Sequence, residues 1–149
     1  MDCRLFLCTA RLLRREGEQE ADYRSAMSRA YYACYHSTRR IACSNCVAAG
    51  RGRSGEIGHA TLLRILKHNT NTDKVKGLGE ELSTLYGGRE RADYYMEEHI
   101  HCGDADVAIE QADLFLRALQ STPPRDIGMA VDAYFSQFPG GGPRRQQQQ

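Results

Sequence analysis

Residues 23–36 read YRSAMSRAYYACYH, and the spacing inside this stretch decides the fold. Tyr23, Ala26, Met27, Ala30, Ala33 and Cys34 recur every three or four positions, and Ser37 and Ile41 continue the series. That period belongs to one face of an α-helix, here over roughly residues 20–43. Most of the face is small, so another helix can approach closely. The opposite face carries Arg24, Ser28, Tyr31, Tyr35 and Arg39. Two faces of such different character predict two neighbours, and we expect the second to be another copy of the chain, in a homodimer.

Helical periods continue on both sides. Leu5, Cys8, Leu12 and Leu13 mark a helix over roughly 3–15, with Arg14 and Arg15 suited to its C-terminal end and Gly17 beyond it. Ile57, Leu62, Leu63, Ile65 and Leu66 mark another over roughly 57–68. Val75, Leu78, Leu82, Leu85 and Ala92 form one stripe of a long helix from roughly 75 to 99. Asp104 is the expected N-cap of a helix over roughly 105–120, with Ala105, Ala108, Ala112, Phe115 and Leu119 inward. Pro123-Pro124 then interrupt the chain. Five amphipathic helices with short polar loops, and no strand pattern, predict an all-α fold: an antiparallel four- to five-helix up-and-down bundle. The bundle spans residues 1–122. Residues 123–138 are a short appended amphipathic segment carrying Ile127, Val131, Tyr134, Phe135 and Phe138, which docks on the bundle or on a partner. The remainder, 139–149 (PGGGPRRQQQQ), has nothing to bury and is expected to be disordered.

Composition narrows the function classes. Of 149 residues, 41% are hydrophobic, enough for one core, and the net charge is +1. A dedicated duplex-binding protein needs a strongly basic face that this balance does not supply. No apolar run approaches the roughly 20 residues of a membrane span, and Asp2 and Arg4 interrupt the start as a signal peptide would not allow. The six cysteines fall mostly inside helical patterns, which predicts free thiols in a reducing cytoplasm. Cys43 and Cys46 form a C-x-x-C pair, but zinc needs about four ligands and there is no second pair, so neither metal nor cofactor is expected.

Two segments carry a family resemblance. Ser28 to His36 (SRAYYACYH) is similar to the S-R-A-Y-Y-A-x-x-H helix of one branch of the HEPN family. Arg89 to Tyr94 (RERADY) is similar to that branch's R-x-x-A-D-Y on a following long helix. His59, and the A-x-x-F-L pattern from Ala112 to Leu116, also fit. The resemblance covers about residues 5–120. It implies a dimerising helical bundle. It also implies a metal-independent endoribonuclease acting as a toxin, often beside a nucleotidyltransferase antitoxin, or in phage defence. The family hallmark is an Arg followed, after four to six residues, by a His.

Metal-free RNA cleavage needs a base for the 2′-hydroxyl, an acid for the leaving oxygen and positive charge on the phosphate. Arg89 follows Leu85 on the apolar stripe, so its guanidinium should face a groove, and Asp93 lies one turn on. The pair is either catalytic or a plain ion pair closing the bundle. The hallmark itself is broken: Tyr94, Tyr95 and Met96 stand where the His belongs. Tyr94 at the shortest spacing is a poor base, with an ordinary pKa near 10. His36 can supply the imidazole instead, or simply bond a neighbouring helix. Arg39, Arg40, Arg51 and Arg53 are the candidates for holding an RNA backbone, the last two in the glycine-rich loop at 44–55. Against the RNA-acting toxin stands a non-catalytic bundle that binds a partner protein or a nucleotide.

Overall fold

The computed structural model describes residues 2–47 and 57–138, which form six helices and no strand. They are α1 (Leu5–Glu16), α2 (Glu20–Ser44), α3 (His59–Leu66), α4 (Asp73–Tyr94), α5 (Cys102–Gln120) and α6 (Pro124–Gln137). The chain is therefore all-α, a helical bundle. The C-terminal segment from 139 and most of the glycine-rich loop, with Arg51 and Arg53, lie outside the described residues.

Cross-helix contacts fix the directions. Arg14 lies over the Tyr23 ring while Phe6 stacks on His36, so α1 and α2 run antiparallel. Arg24 bonds the Ala92 carbonyl and Tyr31 meets Tyr86, so α2 and α4 are antiparallel as well. Arg91 reaches Asp104 while Leu85 and Gln111 share one groove, and α4 and α5 follow the same rule. The up-and-down order expected from the short loops holds for these four helices.

Helix α2 is the centre of the molecule. Its small face (Ala26, Ala30, Ala33 and Cys34, all 0% exposed) lets α5 come in with its own alanines, close enough for the Cys34 thiol to reach the Ala112 carbonyl at 3.6 Å. Its other face is not left for a second chain. Ser28, Tyr31 and Tyr35 are buried, and α3 and α4 of the same chain cover them. The two neighbours implied by the two faces are thus both intramolecular.

One inward face and three boundaries differ from the periodicity, each for a physical reason. In α1 the buried residues are Leu7 and Ala10, with Phe6 and Leu13 half-buried, while Leu5, Cys8 and Leu12 are exposed. The inward face is rotated because α1 lies on α2 and α5 together. Helix α4 ends at Tyr94, short of residue 99, because Arg24 captures the carbonyl of Ala92 in its last turn and those of Tyr95 and Glu98 beyond it. Helix α5 starts at Cys102, and Asp104 lies inside its first turn, accepting the His101 N–H at 2.9 Å. That hydrogen bond, aided by Arg91, holds the Asp104 carboxyl below the usual carboxylate range. Finally, residues 124–137 are a true sixth helix whose Ile127, Val131, Tyr134 and Phe135 join the single core. Gly128 makes that docking feasible: a Cβ there would lie 1.7 Å from the Asn45 carbonyl oxygen.

Candidate functional site

Arg89 sits where α4 crosses α2, and its side chain is 13% exposed. Its Nη2 donates to the hydroxyls of Tyr32 and Tyr94, both at 3.2 Å. The guanidinium also lies 5.0 Å from the Tyr94 ring centroid and 5.8 Å from that of Tyr32, within cation–π range. Asp93 Oδ2 is 2.8 Å from Nε, yet the approach is off the N–H direction, and the Nε hydrogen has no acceptor among the described residues. Asp93 accepts a 2.6 Å hydrogen bond from Ser28 on α2 through its other oxygen. The expected Arg89–Asp93 pair is therefore present and tied to α2.

Next to this pair lies a cluster of rings. Tyr32 stacks on His36, which also packs on Phe6 at 5.3 Å and on Tyr35 at 4.9 Å. His36 is thus held by rings, rather than by the hydrogen bond to a neighbouring helix considered from sequence. Burial, with Arg39 nearby, pushes its pKa below the ordinary imidazole value.

The structure adds an imidazole that sequence reasoning noted only as part of a pattern. His59, the first residue of α3, stacks on Tyr35 at 3.9 Å and places Nδ1 2.6 Å from the Tyr31 hydroxyl. Its ring meets the edge of Tyr32, the residue that also holds Arg89. Burial is the largest cause lowering its pKa, and the charge of Arg89 adds to it. The phenols are buried in turn: Tyr31 is 0% exposed, and burial pushes its pKa up, as it does for Tyr35 and Tyr86. The site thus joins a fixed cation to two neutral imidazoles through shared tyrosines. The signal for His59 was weak in sequence because 28 residues separate it from Tyr31.

The other candidates scatter. Arg39 donates to the Ile57 carbonyl at 2.9 Å, which anchors the segment before α3. Arg40 is exposed at the far end of α2. Gly87 and Gly88 neither receive a close backbone nor interrupt α4. A Cβ at Gly87 would meet nothing within 4 Å, and one at Gly88 only Met27 at 3.7 Å. Gly88 lines the groove of about 390 Å³ between α4 and α5, with Met27, Leu85, Arg89, Val107 and Ala108. Among the described residues no cluster of three or more His, Cys, Asp or Glu side chains could hold a metal ion, and no helix is long and apolar enough to cross a membrane. No protein-family model matches the chain, nor does any curated protein or solved structure.

Proposed function

We propose that this protein is a HEPN-type component of a toxin–antitoxin or phage-defence module, acting on RNA as a metal-independent endoribonuclease with an altered motif. The observation that supports this reading best is the grouping of Arg89 with neutral imidazoles in one aromatic cluster. Arg89 supplies positive charge for a scissile phosphate through a guanidinium whose Nη1 donates to no described residue. His36, of lowered pKa and with no hydrogen-bonding partner among the described residues, is the candidate for receiving the 2′-hydroxyl proton. The test is incubation of the purified protein with total RNA and a strong chelator, alongside induced expression in cells. Fragments ending in a 2′,3′-cyclic phosphate, with arrested growth, support the reading. Intact RNA and normal growth contradict it.

A second reading rests on the Ser28–Asp93–Arg89 chain, which links α2 to α4 at 2.6 and 2.8 Å and can serve structure alone. The protein would then be a non-catalytic bundle recognising a partner protein or a nucleotide. A homodimer and a nucleotidyltransferase antitoxin belong to the first reading. With the tyrosine face of α2 already covered, the dimer would use the exposed apolar residues at the end of α4 and on α5, namely Tyr94, the last residue of α4, Tyr95 and Met96 just after it, and Val107 and Leu114 on α5. Sedimentation as a clean monomer at micromolar concentration would remove the dimer.

A further inference from the structure

We propose that Arg89 and the Nε2–H of His59 are the paired donors of a phosphate-binding site, with Tyr31 as the positioning residue that holds His59 in its donor form. The site deepens the RNA-acting reading and rests on it for the ligand class: a phosphate group carried by a nucleotide or an RNA strand.

The tautomer follows from satisfying Tyr31. Its ring is fully buried, and its hydroxyl lies 2.6 Å from His59 Nδ1, which is its hydrogen-bonding partner among the described residues. If Nδ1 carried the hydrogen, the phenol would be left with a buried donor and no acceptor, which is costly. If the phenol donates to Nδ1, both groups are satisfied and the imidazole hydrogen moves to Nε2. His59 Nε2 has no partner among the described residues, so its hydrogen remains for a ligand. The surroundings keep the ring neutral. From α2 it meets Tyr31, Tyr32, Tyr35 and His36, and the charge of Arg39 acts on it; from α4 it meets Tyr86 and the charge of Arg89. No carboxylate is among these groups, and the positive end of α3 acts in the same direction.

A neutral donor beside one arginine suits a phosphoryl oxygen. The cation supplies charge, and the imidazole supplies direction without adding a second charge that would repel the first. Arg89 spends Nη2 on the two phenols and Nε beside Asp93, and its Nη1 donates to no described residue, which leaves that nitrogen for the ligand. Tyr32 touches both partners, so it sets their spacing. Because Nε2 carries the hydrogen, His59 is not the base of a cleavage step, and that role stays with His36.

Long-range nitrogen–proton NMR of the histidine rings, on the full chain near pH 7, reads the tautomer directly. Three additions then separate the ligand sources: inorganic phosphate, uridine 3′-monophosphate, and uridine as the phosphate-free control. The expected result is an Nε2–H tautomer at His59, with shifts on adding phosphate or the nucleotide and none with uridine. Arg89→Gln and His59→Phe, each checked for helicity, should weaken binding about tenfold or more and by a smaller factor respectively. Tyr31→Phe should raise the His59 pKa and mix its tautomers. An Nδ1–H ring, or phosphate shifts confined to His68, His99 and His101, overturns the site. If His59 binds phosphate but the protein leaves RNA intact in chelator, the ribonuclease reading fails and the site stands. If RNA is cleaved while His59 is unmoved by phosphate and His59→Phe cleaves normally, the site fails and the reading stands.

Discussion

Arg24 and Arg89 lie about equally deep in the molecule, at 11% and 13% side-chain exposure, and differ in what they hold. Arg24 is saturated. It pairs with Glu20 at 2.6 Å and donates to the carbonyls of Arg91, Ala92, Tyr95 and Glu98. Those carbonyls end α4, so Arg24 is a C-terminal clamp on that helix supplied by another. Arg89 instead meets one carboxylate off-axis and two phenol oxygens, and its Nη1 donates to no described residue. Phenols are weak, neutral acceptors that a phosphate can outcompete, whereas backbone carbonyls at a helix end cannot be released without unfolding it. Depth alone therefore does not separate a structural arginine from one available for a ligand; saturation of its donors does.

The sharpest way to break the comparison is at Arg24. Arg24→Ala leaves several carbonyls at the end of α4 without a donor, at a cost of about 3 kcal/mol or more, while Glu20 keeps Ile100 N–H and His99. The melting temperature should fall by roughly 10 °C, and hydrogen exchange at residues 91–98 should accelerate before the rest of α4. A loss as small as that of an ordinary surface arginine would remove the clamp.

Arg89→Ala should be milder. Asp93 keeps its bond to Ser28 and is half exposed, so the loss is about 1–2 kcal/mol, or a few degrees. Equal losses at the two positions would erase the distinction. Ser28→Ala should cost about 1 kcal/mol, since it removes one hydrogen bond from Asp93. If Ser28→Ala and Arg89→Ala add without coupling, the chain linking α2 to α4 is not a unit.

The smallest expected effect is on pH. His36 and His59 have pKa values lowered by burial. The unfolded chain, with ordinary imidazoles near 6.5, then binds protons that the folded protein resists. Stability is fully present above about pH 6.5 and declines as pH falls through the lowered folded values. Thermal melts at pH 7.5 and 5.5 should show a drop that His36→Phe and His59→Phe each reduce. Glu20, Asp104 and Asp113, whose carboxyls are also held low, act only at more acid pH.

These contrasts show what a sequence carries and what it does not. The helices of this chain were legible because burial repeats with the period of the backbone, and the Arg89–Asp93 pair was legible because it lies within one helix. The end of α4 was not, since the group that stops it belongs to Arg24, 67 to 74 residues away. The tyrosine face of α2 read as a surface awaiting a second chain because nothing in its own spacing says that α3 and α4 fold over it. His59 escaped for the same reason: its partners Tyr31 and Tyr35 lie on α2, so its environment exists only after α3 has docked. Local pattern reports which face is buried, and long-range packing decides against what.

The measurement that tests the account most directly is RNA cleavage in chelator by the wild-type chain and by Arg89→Ala, each sample melted on the same day. The account predicts that Arg89→Ala keeps a cooperative melt within a few degrees of wild type and loses cleavage by about 10²–10³. An Arg89→Ala protein that folds and cleaves like wild type, or one whose cleavage falls only as its folded fraction falls, would contradict it.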